Sequence, residues 1–352
     1  MNQIANHELF KSSSLYEVFH KKPLSFVDIG ARGGAHEVVE AFSALTSVVA
    51  FEPDKQECQR LSQLSTVTDP WANFTLLPVA LSDQIGEQDL HLLSAPTNHS
   101  LRAPNTHLTA RYNMVKWVEL GKTKVPCSTL DAEQDAGRLP EPEFIKIDTQ
   151  GTEFEILSSA TKSLSSSVVA VVAEVSFAEL YKGQKLFSEI EALLRQFGFQ
   201  FYGFSGMFNR SQHLLDKTKH PSKERAFYAD AIFFKDPLEN PTVLNSFSER
   251  NAHALFICAV LLCYYDFALE LAEQTFLTGE MCTEERERLY ELIRSLSVKA
   301  PETEIQKLEQ LLIEAKANPD FANALIGRFI DQRREACDYH DVFNTLATPP
   351  SK

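Results

Sequence analysis

Two acids bracket a run of glycines early in the chain: Phe26-Val27-Asp28-Ile29-Gly30-Ala31-Arg32-Gly33-Gly34, then Val48-Val49-Ala50-Phe51-Glu52-Pro53-Asp54. An apolar run entering glycines, followed by a second apolar run that ends on a carboxylate, is the opening of a nucleotide-binding βαβ unit. The glycines permit a tight turn and close backbone approach, and the acid at the second strand tip can accept both hydrogen bonds of a ribose diol. The charges on the loop narrow the ligand further. A dinucleotide loop offers bare amides and a helix N-terminus to a doubly charged pyrophosphate, but here Arg32 replaces the second glycine and Asp28 sits at the strand tip. A carboxylate there repels phosphate and suits a ligand with an α-ammonium and a sulfonium, S-adenosylmethionine. The plainer alternative is that Asp28 caps the turn and the glycines punctuate a loop.

Further along, Phe144-Ile145-Lys146-Ile147-Asp148-Thr149-Gln150-Gly151-Thr152-Glu153 reads as a strand ending on Asp148, a turn and a helix start; Val168 to Glu174 is another apolar strand ending on an acid. Ligands of open α/β sheets gather at the carboxyl ends of the strands, so Asp148 is expected in one cleft with Asp28 and Glu52. Methyl transfer from a sulfonium is an in-line displacement, and a hydroxyl acceptor also needs a base or a metal ion to take its proton. Asp148 is the expected base or metal ligand, with Glu174 as a second and Glu153 reaching in from the first helical turn. Thr152 and Glu155 read as a capping box, which makes Glu155 structural. Asp28, Gly30, Arg32 and Gly34 are expected to line the methionine end of the cofactor, Glu52 with Pro53 its ribose, and Ser82 with Asp83 its adenine amino group. His99, in Asn98-His99-Ser100-Leu101-Arg102, is the histidine expected to touch the acceptor, with His213 a weaker rival.

In chain order, Asp28-x-Gly30, Phe51-Glu52-Pro53-Asp54, Ala80-Leu81-Ser82-Asp83, the Ile145 to Glu153 segment, Glu174 and Asp230-Ala231-Ile232-Phe233-Phe234 resemble the FkbM family of S-adenosylmethionine-dependent methyltransferases. The resemblance runs from residue 24 to 236, and its most specific part is Ile-Lys-Ile-Asp-x-x-Gly-x-Glu. It departs at Gln150, where the family usually carries Glu, so a role that needs charge there does not carry over. The resemblance implies a class I methyltransferase fold, S-adenosylmethionine as cofactor, and a hydroxyl of a saccharide or other polyhydroxylated natural product as acceptor. A divalent metal is left open, with Asp148 and Glu174 as its candidate ligands.

The elements that must position these residues are legible as an α/β pattern. Strands are expected near 24–29, 47–52, 74–80, 144–148, 168–174, 199–204 and 228–234, giving the seven-stranded Rossmann-like sheet of a class I methyltransferase. A short strand at 89–93 and another near 124–127 flank a segment, Ser94 to Lys122, long enough to be a functional loop; it is read as a lid on the acceptor side. Asp236-Pro237-Leu238-Glu239-Asn240-Pro241 breaks the pattern, and beyond it apolar residues recur at helical spacing. The expected organisation is an N-terminal helical segment over 1–20, a methyltransferase domain over 21–236 and an all-α C-terminal domain over 240–348. That last part is suited to homo-oligomerisation or docking of a partner enzyme.

Composition sets the outer limits. The chain has 352 residues, 44% hydrophobic and 23% charged, with a formal net charge of -14. That charge argues against a nucleic-acid substrate, which is gripped through its phosphates, and favours a small or saccharide acceptor. The six cysteines lack metal-knuckle or C-x-x-C spacing, no secretory signal or transmembrane span is visible, and a cytoplasmic protein is expected. Two other classes compete: a dinucleotide oxidoreductase, disfavoured by Arg32 and Asp28, and a non-catalytic scaffold, for which Gln150 is the only hint.

Overall fold

The computed structural model describes residues 3–216, 220, 222–278, 282–297 and 301–334. Its strands are β1 (Leu24–Ile29), β2 (Thr46–Phe51), β3 (Asn73–Leu77), β4 (Ala80–Leu81), β5 (Gly86–Leu93), β6 (Glu119–Ser128), β7 (Phe144–Ile147), β8 (Ala170–Ser176), β9 (Gln200–Arg210) and β10 (Arg225–Phe234). Helices α1 (Glu8–Lys11) and α2 (Ser14–Lys21) precede the first strand, and α3 (Lys55–Ser62) and α4 (Ser65–Thr68) lead to β3. Next come α5 (Thr106–Arg111), α6 (Leu130–Asp135), α7 (Glu153–Ser158), α8 (Thr161–Ser165) and α9 (Phe187–Gln196). After the last strand the chain is helical: α10 (Pro241–Ser246), α11 (Glu249–Leu261), α12 (Tyr265–Thr275), α13 (Thr283–Ser297), α14 (Pro301–Ala317) and α15 (Ala322–Arg334).

Seven strands form one sheet in the order β3-β2-β1-β7-β8-β10-β9. The strands from β3 to β8 run parallel, while β10 is antiparallel to both β8 and β9. This is the class I methyltransferase sheet. Chain order reverses between β1 and β7, so the crevice for a ligand opens at their carboxyl ends. A second sheet, β4-β6-β5, stands beside it.

The strands read as apolar runs because both faces of the sheet are covered. On one face Val27, Ile29, Ile145 and Ile147 meet Ile156 and Leu157 of α7 and Ile190 and Leu194 of α9. On the other, Phe26 and Phe144 share a core with Phe10 and Phe19 of the N-terminal helices and with Leu255, Phe256 and Leu271 of α11 and α12. Arg250 of α11 reinforces this packing: its guanidinium lies on the Phe19 ring and forks onto Glu143, which also accepts from the Ser25 N–H. The helices directly after residue 240 therefore belong with the sheet, and one compact unit comprises Met1–Gln212 and Arg225–Leu296. The expected separate body over 240–348 overlooked this, because helical periodicity locates an apolar stripe without naming what it packs against. The other unit, His213–Glu224 with Ser297–Lys352, holds α14 and α15. The part of the expected C-terminal domain beyond 334 lies outside the described residues, as does Cys337.

Smaller differences have local causes. β3 stops at Leu77 because Pro78 cannot donate to the ladder. β8 runs past Glu174 to Ser176 because β10 continues to pair with it, Tyr228 opposite Ser176. Among the described residues no helix is long and apolar enough to cross a membrane.

Candidate active site

The glycine loop is shaped by backbone packing. Gly30 has φ +91°, and a Cβ there would lie 1.9 Å from the carbonyl oxygen of Asp148. Its N–H and that of Ala31 both donate to the Phe51 carbonyl at 3.0 Å. Glycine at 30 thus lets the tips of β1, β2 and β7 converge; the close approach inferred from the sequence is made first to the chain itself.

Around that point opens a cleft of about 580 Å³. Gly30, Arg32, Glu52, Pro53, His99 and Asp148 all line it, so six of the expected site residues meet in one space. Its walls are largely apolar, including Ile29, Phe51, Val79, Leu81 and Leu101. Glu52 is only 4% exposed, and one carboxylate oxygen accepts the Asp54 N–H at 2.9 Å; burial pushes its pKa up. Arg32 is turned toward Asp54, 3.3 Å from Oδ2. His99 accepts the Leu93 N–H on Nδ1 at 3.0 Å, which leaves the proton of the neutral ring on Nε2. Burial, with Arg32 nearby, lowers its pKa. It is therefore an N–H donor inside the cleft.

The remaining expected residues lie elsewhere. Asp28 is 3% exposed and spends Oδ2 on the His36 N–H at 2.7 Å, holding the loop from beneath instead of facing a ligand. Gly34 lines a separate hollow with Glu37, Val67 and Trp71. The Ser82 hydroxyl accepts from the Gln84 N–H and the Gln88 side chain, and Asp83 is exposed on that turn; neither lines the cleft. Glu153 accepts the N–H groups of Thr149 and Gly151 and the Thr149 hydroxyl at 2.9–3.1 Å, so its carboxylate shapes the turn. Thr152 makes no side-chain cap. Glu155 instead binds Arg102 at 2.6 Å, which replaces the expected capping box with a tie to the lid. His213 belongs to the other compact unit.

Burial raises the Asp28 pKa to about 7, against the pull of Lys146 and the His36 N–H. A carboxyl so held binds its proton more tightly folded than unfolded. Its contribution to stability is complete below the unfolded value of 3.8 and is lost as pH rises through about 7. Asp28→Asn keeps an acceptor for His36 and should flatten this dependence: the fall in unfolding free energy from about pH 4 to pH 8 becomes smaller than in the wild type. Denaturant titrations across that range check it, and an unchanged slope would clear Asp28 of the effect.

Two residues that the sequence reading passed over organise the carboxyl edge. Lys146 is 3% exposed, with Nζ 3.1 Å from Asp230 Oδ1 and 4.0 Å from Asp148 Oδ2. Burial lowers its pKa, but Asp148, Asp230, Glu174 and Asp28 outweigh burial and hold it above the ordinary lysine value. A lysine inside an apolar strand immediately before an acid was the available signal. Tyr181 is the second. Its hydroxyl lies 2.9 Å from the Asn98 carbonyl and 2.8 Å from Gln150 Oε1, and it accepts the Trp117 indole N–H at 3.1 Å. The segment over 94–122 is thus pinned to the sheet edge, with Leu93, Tyr112, Met114 and Trp117 packed on Tyr181 and Phe227.

The residues present fit S-adenosylmethionine. Glu52 offers a carboxylate for a ribose diol, the apolar wall suits a flat base, and the carboxylates of Glu52 and Asp148 favour a cationic ligand. The cleft's one guanidinium, Arg32, is already paired with Asp54, which is a poor setting for pyrophosphate. Asp148, Glu153 and Glu174 bring carboxylate oxygens within 4.8 Å of one another, but the Gln150 amide already stands between Asp148 and Glu174.

A family model described as a methyltransferase FkbM domain matches residues 28–201. A curated relative, the hexuronic acid methyltransferase AglP of Haloferax volcanii, is 26% identical over 175 residues, covering 48% of this chain and 65% of that protein. Among solved structures, an FkbM methyltransferase from Methylobacillus flagellatus KT overlaps 60% of this chain and 43% of its own, with 15% identity and a TM-score of 0.35. A precorrin-6y C5,15-methyltransferase from Geobacter metallireducens GS-15 overlaps 66% of this chain and 92% of its own, with 11% identity and a TM-score of 0.33. The match thus spans less than two thirds of AglP and of the Methylobacillus protein.

Proposed function

Since residues 28–201 belong to the FkbM methyltransferase family, we propose that this chain is an S-adenosylmethionine-dependent O-methyltransferase acting on a hydroxyl of a saccharide or similar polyhydroxylated acceptor. The observation that carries the reading is that Glu52, at the tip of β2, and Asp148, at the tip of β7, line one cleft at the sheet's switch point. The acceptor class is supported by the name of the Haloferax relative and by the net charge of -14.

When bound, the cofactor supplies an electrophilic methyl group on a sulfonium. Glu52, with Pro53 beside it, holds the ribose, and Gly30 and Arg32 line the methionine end. His99 contributes an N–H donor to the bound molecules. Asp148 takes the proton of the acceptor hydroxyl on a carboxylate oxygen, and Lys146 keeps that side chain in place. The segment over 94–122, fixed through Tyr181 and through Arg102 to Glu155, closes the cleft from above and limits water. Orientation of this kind is worth about 7–11 kcal/mol in favourable cases.

Incubation of the full chain with methyl-labelled S-adenosylmethionine and a set of saccharides, including hexuronic acids, tests the proposal. Label should enter a sugar as a base-stable ether. Label in a carboxyl ester, or only in nucleic acid, would overturn the hydroxyl assignment.

A further inference from the structure

Gln150 occupies an unusual place. Its backbone has φ +60°, a conformation that non-glycine residues adopt rarely and under constraint. The Ser100 hydroxyl donates to its carbonyl at 2.7 Å. Its side-chain Nε2 lies 2.7 Å from Asp148 Oδ1 and 3.0 Å from Glu174 Oε2, while Oε1 lies 2.8 Å from the Tyr181 hydroxyl, whose one proton it shares with the Asn98 carbonyl. The orientation of the amide follows from its neighbours: with the nitrogen toward the two acids and the oxygen toward the phenol, each contact pairs a donor with an acceptor. Both amide protons are committed, one to each carboxylate.

We propose that Gln150 is a positioning residue whose carboxamide stands where a divalent cation would otherwise bridge Asp148 and Glu174, making the acidic cluster a metal-independent site. The inference rests on the reading of this cleft as the transfer site. Three carboxylates with oxygens within 4.8 Å would otherwise form an oxygen cage for a hard cation, whose ligands sit about 2.0–2.6 Å from the ion. The amide fills that space with an N–H donor on each acid. Tyr181 anchors it from behind and in turn receives the Trp117 indole, so the amide cannot turn its oxygen inward without breaking three hydrogen bonds. Glu153 is taken up by the turn, which removes a further ligand. The arrangement leaves Asp148 aimed by a neutral partner and free to accept a proton, a role that a bound cation would suppress.

The test is Mn²⁺ binding by the full chain, followed by electron paramagnetic resonance, in the wild type and in Gln150→Glu, Gln150→Ala and Asp148→Asn, with folding checked by circular dichroism. The wild type should hold no stoichiometric Mn²⁺. Gln150→Glu should gain one site, tighter by about 10–100-fold or more, the range reached by changes even outside the ligand shell. If Gln150→Glu does not fold, Gln150→Ala, which opens the space without adding charge, should still bind Mn²⁺ more tightly than the wild type. The proposal is overturned by a wild-type Mn²⁺ site that Asp148→Asn abolishes, by a folded Gln150→Glu that gains no ion, or by equal binding in Gln150→Ala and wild type. Absence of S-adenosylmethionine binding in the wild type would instead strike the functional reading and leave these comparisons standing.

Discussion

Glu52→Ala should abolish measurable S-adenosylmethionine binding in calorimetry while the protein remains folded. Glu52 is held at the tip of β2 by the Asp54 N–H on one oxygen, which orients the carboxylate before any ligand arrives. A hydrogen bond to a charged group contributes about 1.5–3 kcal/mol, and a diol offers two. Losing both corresponds to roughly 10²–10⁴-fold in affinity. Alanine also frees the half-buried Asp54 N–H that begins α3, a cost to folding that circular dichroism on the variant checks. Glu52→Gln separates charge from shape: it keeps one acceptor and should bind more weakly than wild type but better than alanine. Because burial raises the Glu52 pKa, wild-type affinity should also decline as pH falls through that raised value. Unchanged affinity in Glu52→Ala would sink the assignment of this cleft to the adenosine half of the cofactor.

What the sequence disclosed, and what it withheld, divides by range. Strand tips that end on acids are local features, and β1, β2, β7 and β10 lie close to where their apolar runs suggest. Glu52 and Asp148 could be singled out because a strand end in an open α/β sheet has only one kind of neighbourhood. Asp28 looked equivalent on the same grounds, yet its side chain is consumed by the His36 N–H, and Glu153, Ser82 and Thr152 are likewise engaged within their own turns. Position along a strand says that a side chain is near a cleft; it does not say whether a backbone amide has already claimed it. The partners of the lid were out of reach for a different reason. Tyr181 meets Asn98 across 83 residues and Trp117 across 64, separations at which no spacing rule operates. Lys146 was visible as an oddity inside Ile-Lys-Ile-Asp, but its partner Asp230 is brought to it only through the order β7-β8-β10.

Asp148→Asn, by contrast, should leave cofactor affinity nearly unchanged and lower turnover by about 10²–10⁴-fold, the usual contribution of a positioned general base, or about 3–5 kcal/mol on the barrier. Of the three clustered carboxylates, only Asp148 lines the cleft. Glu153 is saturated by the turn it closes. Glu174 stands behind the Gln150 amide, and burial, reinforced by Asp148 and Glu153, raises its pKa well above that of an ordinary carboxylate. Asparagine preserves the volume and an acceptor for Gln150 but cannot take a proton at neutral pH, so the loss should appear in kcat with KM for the acceptor little moved. Glu174→Gln, altering a group that touches Asp148 only through Gln150, should cost less than Asp148→Asn. Equal losses in the two variants would mean that the cluster acts as one electrostatic unit, and full turnover in Asp148→Asn would remove this residue from the chemistry and leave the base to be sought among groups that the acceptor itself brings.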